Sequence, residues 1–346
     1  MVRKLLALFY ILLFCVGSCL GNSGSLSATD ILDMYQEAME KSLFNREKSA
    51  FKAEIEYTEK KPAGYEIRYD SVTQKCLFLH DRDRMDICSE NTAFKDGSIT
   101  EERKSQYLLG KEYGYQISHK IGEPTKNIWA FKKDRVTNAI GCIGTNAYLE
   151  GYSPGDSMLS FWEILKETKD LTLRNEMETI DGHRTYVLEA KTRSLGEYSL
   201  WIDPNCDFNV RRLMIRKTGK DLMGNKPLNS PPLKGGNPAA GPQMHFPTIE
   251  CIITLDAVKI DKIENIFVPV GGTLDIVTTY SNGEQIFAHD ICKRYEIDLN
   301  PDFNKFENAF VLDAPNGTTV EYADLLHTGV RYIWQDGKII PIDIQP

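Results

Sequence analysis

Apolar and polar residues alternate along much of this chain, and this pattern restricts the fold more than any other feature. The first clear run has apolar residues at Phe51, Ala53, Ile55 and Tyr57, with charged or polar residues between them. A period of two places the apolar side chains on one side of a strand, as in antiparallel strands with one face in water. We therefore expect a mainly β protein with α+β character, and not a doubly wound nucleotide-binding fold.

Similar runs predict further strands along the rest of the chain. They lie at 65–69, 75–80, 84–88, 105–109, 113–119, 127–132, 184–191, 198–202, 210–216, 252–260, 266–270, 274–280 and 285–299. Asn282-Gly283 and Asp336-Gly337 predict hairpin turns, because these residues tolerate positive φ. An antiparallel sheet of this length is expected to curl into a half-open β-barrel, which reduces its exposed edges.

Two helices are predicted on the concave side of that sheet. Ser27 and Asp30 have the spacing of a capping box, and an apolar stripe follows over 29–44. A shorter amphipathic helix is predicted at about 156–168, after a Pro-Gly break. The proline- and glycine-rich stretch 218–248 cannot build a core and is interpreted as a mobile insertion.

The N-terminus has the three parts of a secretory signal. Arg3 and Lys4 precede an apolar run over 5–17, and small residues follow it. The run is shorter than the roughly 20 residues that a membrane-spanning helix needs. We therefore expect residues 1–18 to direct export and to be removed.

The end of the signal, Val16-Gly17-Ser18-Cys19, resembles the bacterial lipobox. That resemblance implies a lipid attached to Cys19, with 19–28 as a tether to the membrane. Ordinary cleavage after Ser18 or Gly21 is the alternative, and would leave a secreted protein without an anchor.

Charge and cysteine content restrict the partners and the compartment. Loss of Arg3 and Lys4 with the signal changes the net charge from −8 to −10, so nucleic acid and anionic membrane surfaces are poor partners. Besides Cys15 and Cys19, six cysteines remain, and both disulfides and buried thiols are compatible with this number. Cys76 and Cys88 flank a predicted hairpin and are the first pair to test.

The sequence offers little catalytic or metal-binding chemistry. Neither HExxH nor CxxC occurs, and the six histidines lie far apart. The charged run from His80 to Asp86 could supply metal ligands, but Arg82 and Arg84 within it favour a solvated hairpin loop with ion pairs. We expect no enzymatic activity and no cofactor.

Four large aromatic residues are candidates to line an apolar hollow in a curled sheet. They are Trp129, Phe131, Trp162 and Trp201. Such a hollow suits acyl chains, which need apolar surface and no specific hydrogen bonds. The alternative is that these side chains fill an ordinary core.

Two segments resemble the paired strands of the bacterial lipoprotein-carrier family of LolA and LolB. They are Asp181-Gly182-His183-Arg184-Thr185-Tyr186-Val187-Leu188-Glu189 and Tyr198-Ser199-Leu200-Trp201-Ile202-Asp203-Pro204. The resemblance implies a half-open β-barrel over 29–300 whose hollow accepts acyl chains. Residues 301–346 are then expected to be an extension packed on the barrel.

Two functions follow as hypotheses. The first is a non-enzymatic, exported envelope lipoprotein that binds or carries a lipid or a lipoprotein acyl chain. The second is an envelope-stress sensor or regulator of the RseB type, which uses a similar barrel to bind a protein partner. Both place the protein in the periplasm or on an envelope membrane.

Overall fold

The computed structural model describes residues 26–62, 69–111, 113–132, 144–154, 159–223, 226–230, 246–322 and 331–342. The predicted signal and Cys19 lie outside the described residues, as do the 63–68 part of the first predicted hairpin and most of the 218–248 stretch. Within the described part of the chain, no helix is long and apolar enough to cross a membrane.

Three α-helices are described. Helix α1 spans Ala28–Glu40, and the predicted capping box between Ser27 and Asp30 is present. Helix α2 spans Gly144–Leu149, and helix α3 spans Phe161–Lys166, with a second capping box between Ser160 and Glu163. Helix α2 was not predicted, and α3 is shorter than the predicted 156–168. Single turns of 3-10 helix occur at Pro204–Cys206 and Phe303–Lys305.

The strands before α2 form one half of the sheet. They are β1 (Lys48–Lys60), β2 (Ser71–Asp81), β3 (Arg84–Lys95), β4 (Ser98–Leu109), β5 (Tyr113–Lys120) and β6 (Asn127–Lys132). Each pairs antiparallel with the next in a simple meander. The run from His80 to Asp86 contains the β2–β3 turn, and Arg84 pairs there with Asp81.

The strands after α2 form the second half. They are β7 (Tyr152–Ser153), β8 (Leu159–Ser160), β9 (Asp170–Leu173), β10 (Glu178–Ile180), β11 (His183–Lys191), β12 (Glu197–Asp203), β13 (Asn209–Thr218), β14 (Leu222–Met223), β15 (Lys226–Pro227), β16 (Thr248–Ile263), β17 (Ile266–Tyr280) and β18 (Gln285–Asp298). Strands β7–β8 and β14–β15 form separate small hairpins. The predicted Asn282-Gly283 turn joins β17 to β18, and Gly283 has φ +86°.

The two halves form one continuous sheet because β18 pairs antiparallel with β1. The order is β9 and β10 at one edge, then β11-β12-β13-β16-β17-β18-β1-β2-β3-β4-β5-β6. The sheet curls without closing into a barrel, which confirms the predicted fold class.

The C-terminal residues extend this sheet and cross its outer face. Strand β19 (Thr319–Tyr322) pairs in parallel with β6, and β20 (Arg331–Gln335) and β21 (Lys338–Ile342) follow in the predicted hairpin. Before β19, residues 303–313 contact the outer face of the first half, where Gln106 bonds to the backbone of Val311 and Asp313. We call 303–313 the outer strap.

Two main core clusters occupy the inner face, on which the helices lie. The first packs α1 and α3 against β11–β18, and the second lies between β1–β4 and the segment around α2. Helix α2 contributes to both, through Leu149 in the first and Ala147 in the second. The two clusters are therefore neighbours on one curved surface.

Five cysteines are described, and four of them are buried. In the β2–β3 register, Cys76 lies opposite Ser89 and Leu77 opposite Cys88. Cys76 and Cys88 thus face opposite sides of the sheet, so this first candidate pair does not form a disulfide. The period-two pattern itself explains this outcome, because partners on opposite faces cannot be bridged.

Candidate functional site

The inner face of the second half is covered by the chain's own helix α1. Ile31, Leu32 and Tyr35 of α1 are at most 3% exposed and pack in the first core cluster. Their apolar partners on the sheet include Leu200 and Ile253, both fully buried.

The inner face of the first half carries a groove of a different character. Its lining residues are Ile55, Tyr57, Val72, Gln74, Ser89, Asn91, Tyr107, Gly144, Thr145 and Asp290, around a cavity of about 290 Å³. We call it the polar groove. Strands β1 to β4 supply most of its floor, while β18 and the start of α2 supply one wall. Two amides, two hydroxyls and two tyrosines line it together with the apolar side chains of Ile55 and Val72.

The carboxylate of Asp290 lies in the wall of the polar groove. Its Oδ2 accepts a hydrogen bond of 2.7 Å from the hydroxyl of Thr145. Burial raises the pKa of Asp290, and the bond from Thr145 offsets part of that rise. On the floor, Ser89 is 1% exposed, and its Oγ has no hydrogen-bond partner in the described part of the chain.

A fully buried ion pair fixes the wall that α2 forms. Arg294 of β18 pairs with Glu150, and both side chains are 0% exposed. The guanidinium also donates to Oδ1 of Asn146 at 2.8 Å and to the carbonyl of Pro269 at 3.1 Å. The second oxygen of Glu150 accepts from the backbone N–H of Phe44. Helix α2 is therefore held to the sheet by charge-assisted bonds as well as by packing.

The four predicted lining residues are not brought together. Phe131 is buried in the second core cluster, and Trp129 lies on the same strand but is 44% exposed. Trp162 of α3 is half-buried at the margin of the first cluster, with Lys166 over its ring at 4.3 Å. Trp201 lies on the outer face, packs with Ile180 and Val187, and donates to Glu178 at 2.7 Å. They do not line one common hollow.

The segments that resemble the carrier family meet in a polar cluster on the outer face. Asp203 is fully buried and accepts hydrogen bonds from the backbone of Asn205 at 2.9 Å and from Arg211 at 2.9 Å. Burial acts to raise the pKa of Asp203, but these bonds outweigh it and the pKa is lowered. The side chains of His183 and Cys206 lie close by.

This cluster has the donor atoms of a metal site but the wrong charge for one. The ligand atoms of His183, Asp203 and Cys206 lie within 4.8 Å of one another. The guanidinium of Arg211, however, is 3.2 Å from His183 and 3.0 Å from Cys206. A fixed positive charge in contact with all three ligands opposes a cation there. The cluster stabilises the turn after β12 instead.

The sequence also contains one catalytic spacing, Gly-x-Ser-x-Gly, over 151–155. A nucleophile elbow exposes its serine on a sharp turn between a strand and a helix. Ser153 instead lies in the two-residue strand β7, pairs with β8 and is 0% exposed. The spacing therefore does not present a nucleophile to a substrate.

Further cavities between described residues lie outside the polar groove. One, of about 200 Å³, lies under the outer strap and is lined by residues including Asp86, Cys88 and His119. Two others, of about 550 Å³ each, flank Trp162 at the open side of α3. Burial raises the pKa of Cys88 to about 12, so this thiol is protonated and unreactive at neutral pH.

Comparisons with known proteins give distant structural neighbours only. No protein-family model and no curated protein matches the chain. Among solved structures it is similar to MucB in complex with MucA(peri), with 12% identity over 80% of this chain and 100% of that chain, at a TM-score of 0.20. The MucA/MucB complex of Pseudomonas aeruginosa has 10% identity over 79% and 100%, at 0.21. The ywiB protein from Bacillus subtilis has 4% identity over 72% and 93%, at 0.16. TM-scores this low carry no inference about function.

Proposed function

We propose that this chain is a non-enzymatic binding protein of the cell envelope, and that its polar groove holds an extended segment of a protein partner. The observation that carries the proposal is the contrast between the two halves of the inner face. The apolar half is covered by α1 and α3, whereas the open half presents amides and hydroxyls.

Those groups suit a polypeptide backbone. Gln74 and Asn91 each offer a donor and an acceptor, as a peptide unit does, and Ser89 and Thr145 add hydroxyls. An acyl chain would gain nothing from these groups and would remove them from water without replacing their hydrogen bonds. The function is therefore closer to a sensor or regulator of the RseB type than to a lipid carrier.

A site-specific photo-cross-linker tests this proposal in cells. We would place it at Asn91 in the groove and, as a matched control, at the exposed Lys259 on β16. The expected result is a cross-link to one defined envelope protein from position 91 and none to that protein from position 259. Equal cross-linking from both positions, or none from position 91, would overturn it.

Binding of an acyl chain is the second candidate, favoured by the cavities beside Trp162. Trp162, Ile164 and Leu195 line one of them, and the indole Nε1 of Trp162 has no partner among the described residues. An acyl chain would enter the first core cluster there only if α1 or α3 moved away. Mass spectrometry of an organic extract of the purified mature protein distinguishes the two candidates, because only this one predicts recovery of lipid in proportion to protein.

Export and anchoring form a further part of the proposal. Residues 1–18 would be removed, and Cys19 would carry a lipid that holds the protein on a membrane. Buried acyl carbons contribute about 0.8 kcal/mol each, so several chains would anchor it firmly. The mass of the mature N-terminal peptide tests this point: an unmodified Cys19, or an N-terminus at Asn22, would exclude the anchor.

A further inference from the structure

We propose that the polar groove binds an organic cation, a primary ammonium or a guanidinium group, with the carboxylate of Asp290 as its counter-ion. The inference rests on the proposed function, in which the cation is a lysine or arginine side chain of the bound partner. It specifies which chemical group of the partner the groove binds.

The charge of the groove supports a cation. Among the described residues that line the groove, Asp290 is the one charged residue, and neither lysine nor arginine is part of that set. The neighbouring His289 lowers the pKa of Asp290 by its charge, but it is bonded to Asp275 at 2.6 Å and lies on the opposite side of the sheet, so it is not a hydrogen-bonding partner inside the groove. A partly buried carboxylate without a positive partner is unfavourable, and a bound cation would remove that cost.

The hydrogen-bonding groups of the groove are also incomplete without a ligand. Thr145 donates to Oδ2 of Asp290, and no hydrogen bond to Oδ1 is found within the described residues. The buried hydroxyl of Ser89 likewise has no partner there. Both groups accept hydrogen bonds, and a ligand rich in N–H donors, such as an ammonium or a guanidinium, would satisfy them.

Aromatic rings add a third contribution. Tyr57 and Tyr107 line the cavity on either side of the floor. The face of an aromatic ring attracts a positive charge, so rings beside a carboxylate favour organic cations over neutral groups. The cavity of about 290 Å³ accommodates such a group.

Other ligand classes fit less well. An anion would be repelled by Asp290. A Ca²⁺ or Mg²⁺ ion requires several oxygen ligands, commonly including more than one carboxylate, and the described lining residues supply only that of Asp290. Burial raises the pKa of Asp290, as expected for a carboxylate that lacks its cation.

Binding of small probes to the intact mature protein tests the inference. We would titrate Nα-acetyl-arginine amide and Nα-acetyl-lysine amide by calorimetry, with the citrulline derivative as an uncharged isostere of arginine. Saturable binding of both cations is expected, at least tenfold tighter than that of citrulline. Equal affinity for citrulline, or binding of neither cation, would overturn the inference.

Variants assign the binding to the groove. D290N should weaken binding of the arginine probe at least tenfold, and S89A about threefold. The matched control D261N removes an exposed carboxylate from β16 and should change the affinity less than twofold. Circular dichroism establishes that each variant is folded. If folded D290N binds the arginine probe as tightly as the unaltered protein does, the inference is wrong.

The cation could come from a polypeptide or from a free polyamine. The affinities for an extended pentapeptide with a central arginine and for spermidine distinguish these two sources. Tighter binding of the pentapeptide than of the single amino-acid amide identifies a polypeptide partner. Preference for spermidine identifies a free polyamine as the ligand. That result would overturn the proposal that the cation is a side chain of a protein partner, but would leave the cation site itself supported. The cross-link from position 91 reports on the protein partner independently, so the two proposals can fail separately.

Discussion

The guanidinium of Arg294 is fully buried, and it bonds to Glu150, Asn146 and the carbonyl of Pro269. Replacement by methionine keeps much of the side-chain volume but leaves the carboxylate of Glu150 buried without its cation. We predict that R294M lowers the free energy of unfolding by about 3–5 kcal/mol, the usual cost of breaking a buried pair. Urea denaturation followed by circular dichroism measures this.

Arg216 provides the matched control for that measurement. It forms an ion pair with Glu250 of similar geometry, but its side chain is 52% exposed. Exposed pairs contribute only about 0–1 kcal/mol, so R216M should change stability little. Similar losses in the two variants would show that the buried network does not hold α2 as described.

Asp290 gives a prediction about pH. Its folded pKa is raised by burial, so protonation favours the folded state, and this contribution is lost as the pH rises through the folded pKa. D290N has no such group. We predict that its stability relative to the unaltered protein improves as the pH rises from below the ordinary aspartate range to neutrality. Urea midpoints measured from pH 3 to pH 7 test this, and a constant difference contradicts it.

Asp203 should behave in the opposite way. Burial alone would raise its pKa, but the bonds from Asn205 and Arg211 outweigh burial and lower it. The stability that the ionised group contributes is present at neutral pH and is lost as the pH falls through the folded pKa. The deficit of D203N should therefore shrink on acidification, whereas the behaviour of D290N runs the other way.

The roles of individual residues could be predicted from the sequence less well than the strands or the fold class. The turn at Asp203-Pro204 lies in a segment that resembles the carrier family, and its residue types suit it, because proline presets φ and aspartate caps the turn locally. The importance of Asp290 was not predicted, since it depends on Thr145, which is distant in sequence and meets it only in the fold. Trp201 is a large aromatic residue of the kind that can line an apolar hollow. The sequence pattern does not show, however, which face of the sheet becomes concave.

At the scale of elements, Gly151 fixes the distance between α2 and α1. It has φ +81°, and a Cβ there would lie 2.5 Å from the hydroxyl oxygen of Tyr35 and 2.9 Å from Cε of Met39. We predict that G151A loses about 1–3 kcal/mol from overpacking, beyond the backbone cost of the positive φ. Thermal unfolding monitored by circular dichroism measures the loss.

Gly182 is the control that separates the cost of overpacking from the backbone cost of a positive φ. Its φ of +82° is the same within a degree, but nothing lies within 4 Å of an added Cβ. G182A should therefore show only the backbone cost, about 1 kcal/mol. Equal losses at 151 and 182 would mean that α1 adjusts freely to the larger side chain.

The outer strap is held to the sheet by Gln106 of β4 and by Asp86, whose Oδ2 accepts a hydrogen bond from the backbone of Phe310 at 2.8 Å. The amide of Gln106 donates to Asp86 and to the carbonyl of Val311, and accepts from the backbone of Asp313. We predict that Q106A releases the strap while the sheet persists, because the strap loses two of its backbone bonds and Asp86 loses a donor. Hydrogen exchange of the 303–313 amides should then rise at least tenfold.

Gln116 on the adjacent strand is the control for the strap. Its amide donates to the hydroxyl of Tyr107, on the inner face. Q116A should leave exchange in 303–313 unchanged. Increased exchange in both variants would indicate general loosening of the sheet rather than release of the strap.

Most strands could be predicted because polar residues on the exposed face alternate with apolar residues on the buried face, which gives a clear period of two. The hairpin at Asn282-Gly283 was predicted for the same local reason. Helix α2 was missed because it has only six residues, all but one of them buried, so no amphipathic stripe marks it. The short strands β9 and β10 were missed because each is too short to show an alternation.

For the whole molecule, the pattern predicted a curled sheet but not what covers it. Alternation assigns residues to two faces, and an apolar face is compatible with an empty hollow, a lipid or the chain's own helices. Leu200 and Ile253 are fully buried under α1 and α3, which their strand pattern does not reveal. The polar groove depends on long-range pairing of β18 with β1, and such pairing cannot be read from local sequence.

That pairing also bears on how the protein unfolds. A chain of 346 residues with two core clusters could unfold in two steps, as larger proteins often do. Here β1 and β18 form an uninterrupted antiparallel register from Lys52 to Lys60, and α2 contributes side chains to both clusters. Loss of either cluster would therefore expose apolar surface of the other and leave Arg294 without its partners on α2.

We predict a single cooperative transition for both halves. Pulsed hydrogen exchange across a urea series, read in β3 for the first half and in β12 for the second, should give the same midpoint for the two strands. R294M should lower both midpoints together, because the buried pair supports the helix that the clusters share. Separate midpoints, or a shift confined to one strand, would show that the halves are independent units that meet only along the β1–β18 edge.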